Sequence, residues 1–125
     1  METIIPGAPP KGTYDVNLTT HHDILFAPIN ASSSGDNTLV AADTVGRRIK
    51  VLSYVFIAGG TVNVTFKSDS TALTGTMPMV VNAGIACPPS SPAQGPYMAT
   101  AANEALILNL SDAIAVTGHL SYYLE

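Results

Sequence analysis

The chain has 125 residues, a formal net charge of −4 and 46% hydrophobic residues, with only 11% Asp, Glu, Lys or Arg, where soluble domains usually carry about 25%. This length suits one domain that buries roughly two thirds of its unfolded surface; the lone Cys87 excludes an intramolecular disulfide, and the acidic balance argues against a nucleic-acid partner. No stretch approaches the roughly 18 apolar residues of a membrane span and Met1 opens no secretory leader, so the expected product is soluble and intracellular.

So little charge leaves Thr, Ser, Asn and Ala to cover the surface, and points to an exterior that is itself covered in an assembly. Residues 1–22 read as an arm, either a frayed terminus or an extended segment lying on a neighbouring subunit, because Pro6, Pro9 and Pro10 remove backbone donors and Gly7 and Gly12 loosen the chain. Ile4, Ile5, Pro9, Pro10 and Tyr14 are its candidate contacts with a neighbouring subunit. His21, His22 and Asp23 are metal-ligand residue types. Adjacent strand residues point to opposite faces, however, and His119 is remote in sequence, so no metal site is expected.

Strands begin after Asp23. The run Ile24–Ile29 is apolar, and Pro28 confines it to a sheet edge or a strand end. Ala31–Asp36 punctuates as a loop, and Asn37–Ala42 forms a second strand. Arg47, Arg48 and Lys50 read as a solvated strand edge that discourages strand addition. Two β-branched and aromatic runs then flank Gly59-Gly60, a short-range hairpin signal. A two-residue turn there puts Ile57 opposite Val62, Val55 opposite Val64 and Ser53 opposite Phe66 on a core face. The opposite face, with Leu52, Tyr54 and Phe56, is then half apolar and reads as a subunit interface, so that Phe56→Asp is expected to give folded monomers.

Met77–Val81 is a strand with an edge proline, reversed by Asn82-Ala83-Gly84 into Ile85–Cys87. Residues 88–96 hold too many prolines, serines and glycines for a ladder and form a surface loop, from which Tyr97 and Met98 re-enter the fold. Leu106, Leu108 and Leu110 alternate, as do Ile114, Val116, Leu120, Tyr122 and Leu124. Ser111-Asp112-Ala113 makes either a three-residue hairpin loop or a longer connection between two sheets. The stretch from Met98 to Leu106 is loop or a single turn.

Short strands with frequent Pro, Gly and Ser turns predict an all-β fold, a single β-sandwich of jelly-roll or Greek-key type over residues 23–125 behind the arm. The expected core is Ile49, Val51, Val55, Ile57, Val62, Val64, Phe66, Leu106, Leu108, Leu110, Ile114, Val116 and Leu120. No nucleophile elbow, phosphate-cradling loop, zincin helix or cysteine pair occurs. The carboxylates fall mostly in predicted loops, so no enzyme activity and no cofactor are expected. Sugar binding leans on aromatic platforms, and a chain without Trp offers only Tyr97, Tyr122 and Tyr123. The Asn-x-Ser/Thr triplets at Asn17, Asn30, Asn63 and Asn109 read as coincidence in a chain rich in these residues.

The run Ile29–Ala42, then Gly46–Val55 with its Gly-Gly, resembles small structural proteins of tailed bacteriophages. Leu73-Thr74-Gly75, Asn82-Ala83-Gly84, Glu104–Ser111 and Val116–Leu120 share the likeness, which covers about Ile29 to Tyr123. Where such proteins tend to carry a tryptophan or paired aromatics, this chain has Pro96-Tyr97-Met98. The resemblance implies a jelly-roll-like virion protein, made in the host cytoplasm, that decorates or cements the capsid surface by binding the major capsid protein. It also implies a homotrimer. With the arm residues above, Leu52, Tyr54, Phe56 and Tyr97 are the candidate subunit and capsid contacts. A receptor- or carbohydrate-binding domain of a tail or fibre is the alternative.

Overall fold

A computed structural model describes residues 22–125. The arm contacts Ile4, Ile5, Pro9, Pro10 and Tyr14 lie outside the described residues. Ten strands occur among them: β1 (Leu25–Ala31), β2 (Gly35–Val40), β3 (Ile49–Ala58), β4 (Val62–Ser68), β5 (Thr71–Ala72), β6 (Met77–Met79), β7 (Gly84–Ala86), β8 (Met98–Ala99), β9 (Leu106–Leu110) and β10 (Val116–Leu124). Two antiparallel sheets result. Sheet A has the order β1-β10-β3-β7, with β8 also on β3, and sheet B has the order β2-β9-β4-β5, with β6 also on β4. Each sheet thus interleaves strands from the two halves of the chain, the strand order of a jelly roll and one of the sandwich types that the short strands and their turns predict.

The alternating strands turn their apolar residues into one interior. Ile29 and Ala31 of β1 meet Val62, Val64 and Phe66 of β4, Leu106, Leu108 and Leu110 of β9, and Val116 and Leu120 of β10 there. Phe56 and Phe66, from opposite sheets, lie 5.9 Å apart edge to face, and Tyr54 lies 5.0 Å from Phe66. No buried side-chain polar atom among the described residues lacks a partner. Pro28 sits on β1, an edge strand in register with His119 of β10, where its missing N–H breaks no ladder.

The predicted Gly-Gly hairpin does not form. β3 pairs with β10, β7 and β8, whereas β4 pairs with β9, β5 and β6, so the two runs lie in different sheets. A two-residue hairpin turn requires positive φ at one or both central residues, and neither Gly59 nor Gly60 has it. The pair instead carries the chain around a corner of the sandwich. Gly59 N donates to Ala115 O at 2.8 Å, and a Cβ on Gly60 would lie 3.2 Å from Ile114 Cδ1. Of the two connections open at residues 111–113, the one between sheets is found, since β9 and β10 are in sheets B and A.

The face assignment of β3 is also reversed over its second half. Ser121 pairs with Ser53 and Tyr122 with Val51, which leaves Leu52 as the extra residue of a β-bulge. Ile49 and Val51 point inward before the bulge, and Tyr54, Phe56 and Ala58 after it. Phe56 is 0% exposed and Leu52 1% exposed, so neither offers the surface contact expected of it. Val55 is half-buried on the outer side and Ile57 is 51% exposed, so both leave the expected core. Ile114 is half-buried against the core rather than inside it.

Candidate interaction surface

Sheet register fixes which residues share the outer side of sheet A. Phe26, Ser121 and Ser53 form one row, then Pro28, His119, Val55 and Ala86, then Asn30, Thr117, Ile57 and Gly84. None of these is Asp, Glu, Lys or Arg. Phe26 is 74% exposed, and Ser53 and Ser121 close their hydroxyls on one another. At one end the rows run out beside the turn that holds exposed Val80 and Val81, where Asn82 N donates to Ala58 O at 2.8 Å. At the other, beyond the bulge, Lys50 and Tyr123 pair across β3 and β10. Lys50 there holds Glu125, and the Tyr123 ring lies tilted by 40° against that of His22, with centroids 4.7 Å apart.

The outer side of sheet B is different in kind. Asp36 of β2 accepts from Asn109 Nδ2 at 2.7 Å and from Lys67 Nζ at 3.0 Å. These hydrogen bonds, the Asn109 one foremost, hold the Asp36 carboxyl below the usual carboxylate range. Sheet B therefore presents a satisfied polar surface to water.

The remaining charges lie mostly at the ends and in loops. Arg47 grips Asp43 through Nε at 3.0 Å and a second bond from its Nη2 at 3.3 Å, and holds that carboxyl below the usual range. The cationic run reads differently in three dimensions: Lys50 of β3 is paired with Tyr123 of β10 on one side and Ala99 of β8 on the other, so it borders no free edge. His22, Asp23, Leu25, Arg47 and Leu124 line a cleft of about 280 Å³. Among the described residues no group of three or more His, Cys, Asp or Glu is placed to hold a metal, and no helix is long and apolar enough to cross a membrane.

The proline-rich segment 88–96 is a surface loop, as predicted, and it is well tied down. Along the edge of β3, Cys87 N donates to Tyr54 O, Ser90 N to Leu52 O and Tyr97 N to Val51 O, at 2.8 to 3.0 Å. Tyr97 is 47% exposed and donates its hydroxyl to Pro88 O at 2.7 Å, closing the loop. Tyr54 lies behind it, its ring 6.3 Å from that of Tyr97. Burial pushes the Tyr54 hydroxyl up to about 12, with the Cys87 thiol and Tyr97 acting in the same direction.

The folded chain thus holds the Tyr54 proton more tightly than the unfolded chain, whose tyrosines titrate near 10. The stability linked to this group is fully present below that pH and is lost as pH rises toward 12. Absorbance at 295 nm should show one tyrosine ionising late, together with loss of structure, and Tyr54→Phe should remove that phase.

Of the candidate contacts in the described region, Tyr97 and half-buried Tyr54 meet at the loop, while Leu52 and Phe56 are interior. The residues that do line an exposed uncharged surface are Phe26, Val55, Ile57, Val80, Val81 and His119. Pro28 was the one sequence signal for it, since an edge proline marks β1. Nothing in the alternation of β3 betrays the bulge that turns Val55 and Ile57 outward. No protein-family model, curated protein or solved structure matches the chain.

Proposed function

We infer that this chain is a non-enzymatic structural protein of a bacteriophage virion, which decorates or cements the capsid by binding the major capsid protein and associating with its own copies. The observation that carries this reading is the outer side of sheet A, whose three rows from Phe26 to Gly84 hold no Asp, Glu, Lys or Arg and expose Phe26 and Ile57, on a chain with only 11% charged residues. The resemblance of Ile29–Tyr123 to phage structural proteins supplies the setting and makes a trimer the first choice of assembly.

Antibody labelling of purified particles tests the location. Label over the capsid shell is expected; label confined to the tail would sink the cement reading in favour of a receptor- or carbohydrate-binding tail domain, for which exposed Tyr97 beside its ordered loop is the supporting feature. Deleting residues 1–12 is expected to weaken capsid binding in a pelleting assay while the sandwich keeps its melting transition. Undiminished binding would remove the arm from the contact.

A further inference from the structure

We propose that His22 anchors the arm: with Tyr123, Lys50 and Glu125 it clasps the residues before β1 to the outer side of sheet A, so that the arm leaves the sandwich from a fixed point and meets its partner already held at the base. The use of the clasp rests on the capsid binding inferred above; its existence does not. The backbone ladder does not hold this stretch. β1 pairs with β10 only as far as Leu25 and Tyr122, and residues 22–24 belong to no strand. Side chains take over there.

His22 is half-buried, whereas Asp23 and Ile24 beside it are exposed. Its ring centroid lies 4.7 Å from that of Tyr123, and its Nε2 lies 3.4 Å from Glu125 Oε2. Lys50 closes the group: its Nζ donates to Glu125 Oε1 and sits 5.9 Å from the centre of the Tyr123 ring. Glu125 is itself fixed through its backbone, which exchanges two hydrogen bonds with Arg48, at 2.9 and 3.1 Å. Lys50 foremost, with His22 in the same direction, holds the Glu125 carboxyl below the usual range, so it stands ionised between them.

Tyr123 shows what the clasp covers. It is 3% exposed yet lies outside the interior cluster, because it pairs with Lys50 on the outer side beyond the bulge. Its cover comes from that side, where His22 and Lys50 lie against the ring. A frayed start to β1 would leave the ring open to water. The clasp also gives a role to His22, which no metal-holding group employs among the described residues. Holding the base of an arm in advance spares part of the ordering entropy that binding otherwise costs. The arm then acts from one point, at the Lys50 end of sheet A.

Nuclear magnetic relaxation and capsid pelleting of the full chain test the two parts. Amide order parameters of about 0.85 are expected at residues 22–24, and His22→Ala should lower them below about 0.6 while the melting transition stays unchanged. His22→Phe, which keeps a ring on Tyr123, should restore most of that order. His22→Ala should also bind capsids about tenfold more weakly, and in a chain lacking residues 1–12 the same substitution should make no further difference. Order parameters indifferent to His22→Ala overturn the clasp. Undiminished capsid binding, or equal weakening in the full and shortened chains, overturns its action through the arm. A wild-type chain that binds no capsids loses the reading above, and relaxation alone then decides the clasp.

Discussion

Gly118→Ala is expected to abolish folding or to lower stability by about 4 kcal/mol or more, in the range reserved for severe core and backbone damage. Gly118 sits in the middle of β10, between Ile29 of β1 and Phe56 of β3. A Cβ there would lie 1.9 Å from Val55 O and 2.7 Å from Phe56 Cα. Both are backbone atoms of a paired strand, so no side-chain rotation relieves the clash. β10 must then move away from β3, at the centre of sheet A. For a chain of this size, each kcal/mol lost lowers the melting temperature by several degrees. Gly75→Ala is the control, because nothing lies within 4 Å of its Cβ position, and it should change stability by no more than about 0.5 kcal/mol. A Gly118→Ala protein that melts with the wild type would show that the β3–β10 pairing is not as described.

Phe56→Ala should cost about 3 to 5 kcal/mol, the usual loss for a fully buried phenylalanine that leaves a cavity. The ring centroid lies 6.1 Å from that of Tyr54 on the same strand and 5.9 Å from that of Phe66 in the other sheet, so its removal opens the contact between the two sheets. Phe56→Asp should not fold, since a carboxylate in that place has no partner and no water. Ile57→Asp, one residue along, should fold normally because Ile57 points outward. Chemical denaturation of the two Asp variants side by side reads the face assignment of β3 directly. Had the uninterrupted alternation held, the outcomes would be exchanged. A domain of this kind has a net stability of about 5 to 15 kcal/mol, so either of the two interior substitutions removes a large part of it.

These two expectations turn on features that no local pattern records. The alternation in β4 and β9 is plain in the sequence because each runs without a bulge, and Val62, Val64, Phe66, Leu106, Leu108 and Leu110 all reach the interior as read. Pro28 and Pro78 mark edge strands for a local reason, the missing N–H, and both lie on strands with a single partner. In β3 the period of two is broken at Leu52 by the pairing with β10, some seventy residues away. Short-range chemistry has no access to that partner.

The candidate surface follows the same division. The shortage of charge, and with it the expectation of a contact surface, is a property of composition. Where the uncharged surface lies depends on strand order, because β1, β10, β3 and β7 come together only in the folded sheet. Sequence by itself determined the all-β class, the two-sheet architecture, most of the interior and the edge strands, since these follow from residue type and local period. Tertiary structure alone decided that Gly59-Gly60 turns a corner instead of a hairpin, and that Phe56 faces in while Ile57 faces out. The reason is that a strand chooses its neighbours, and hence its inner face, by the long-range ladder that satisfies its backbone hydrogen bonds.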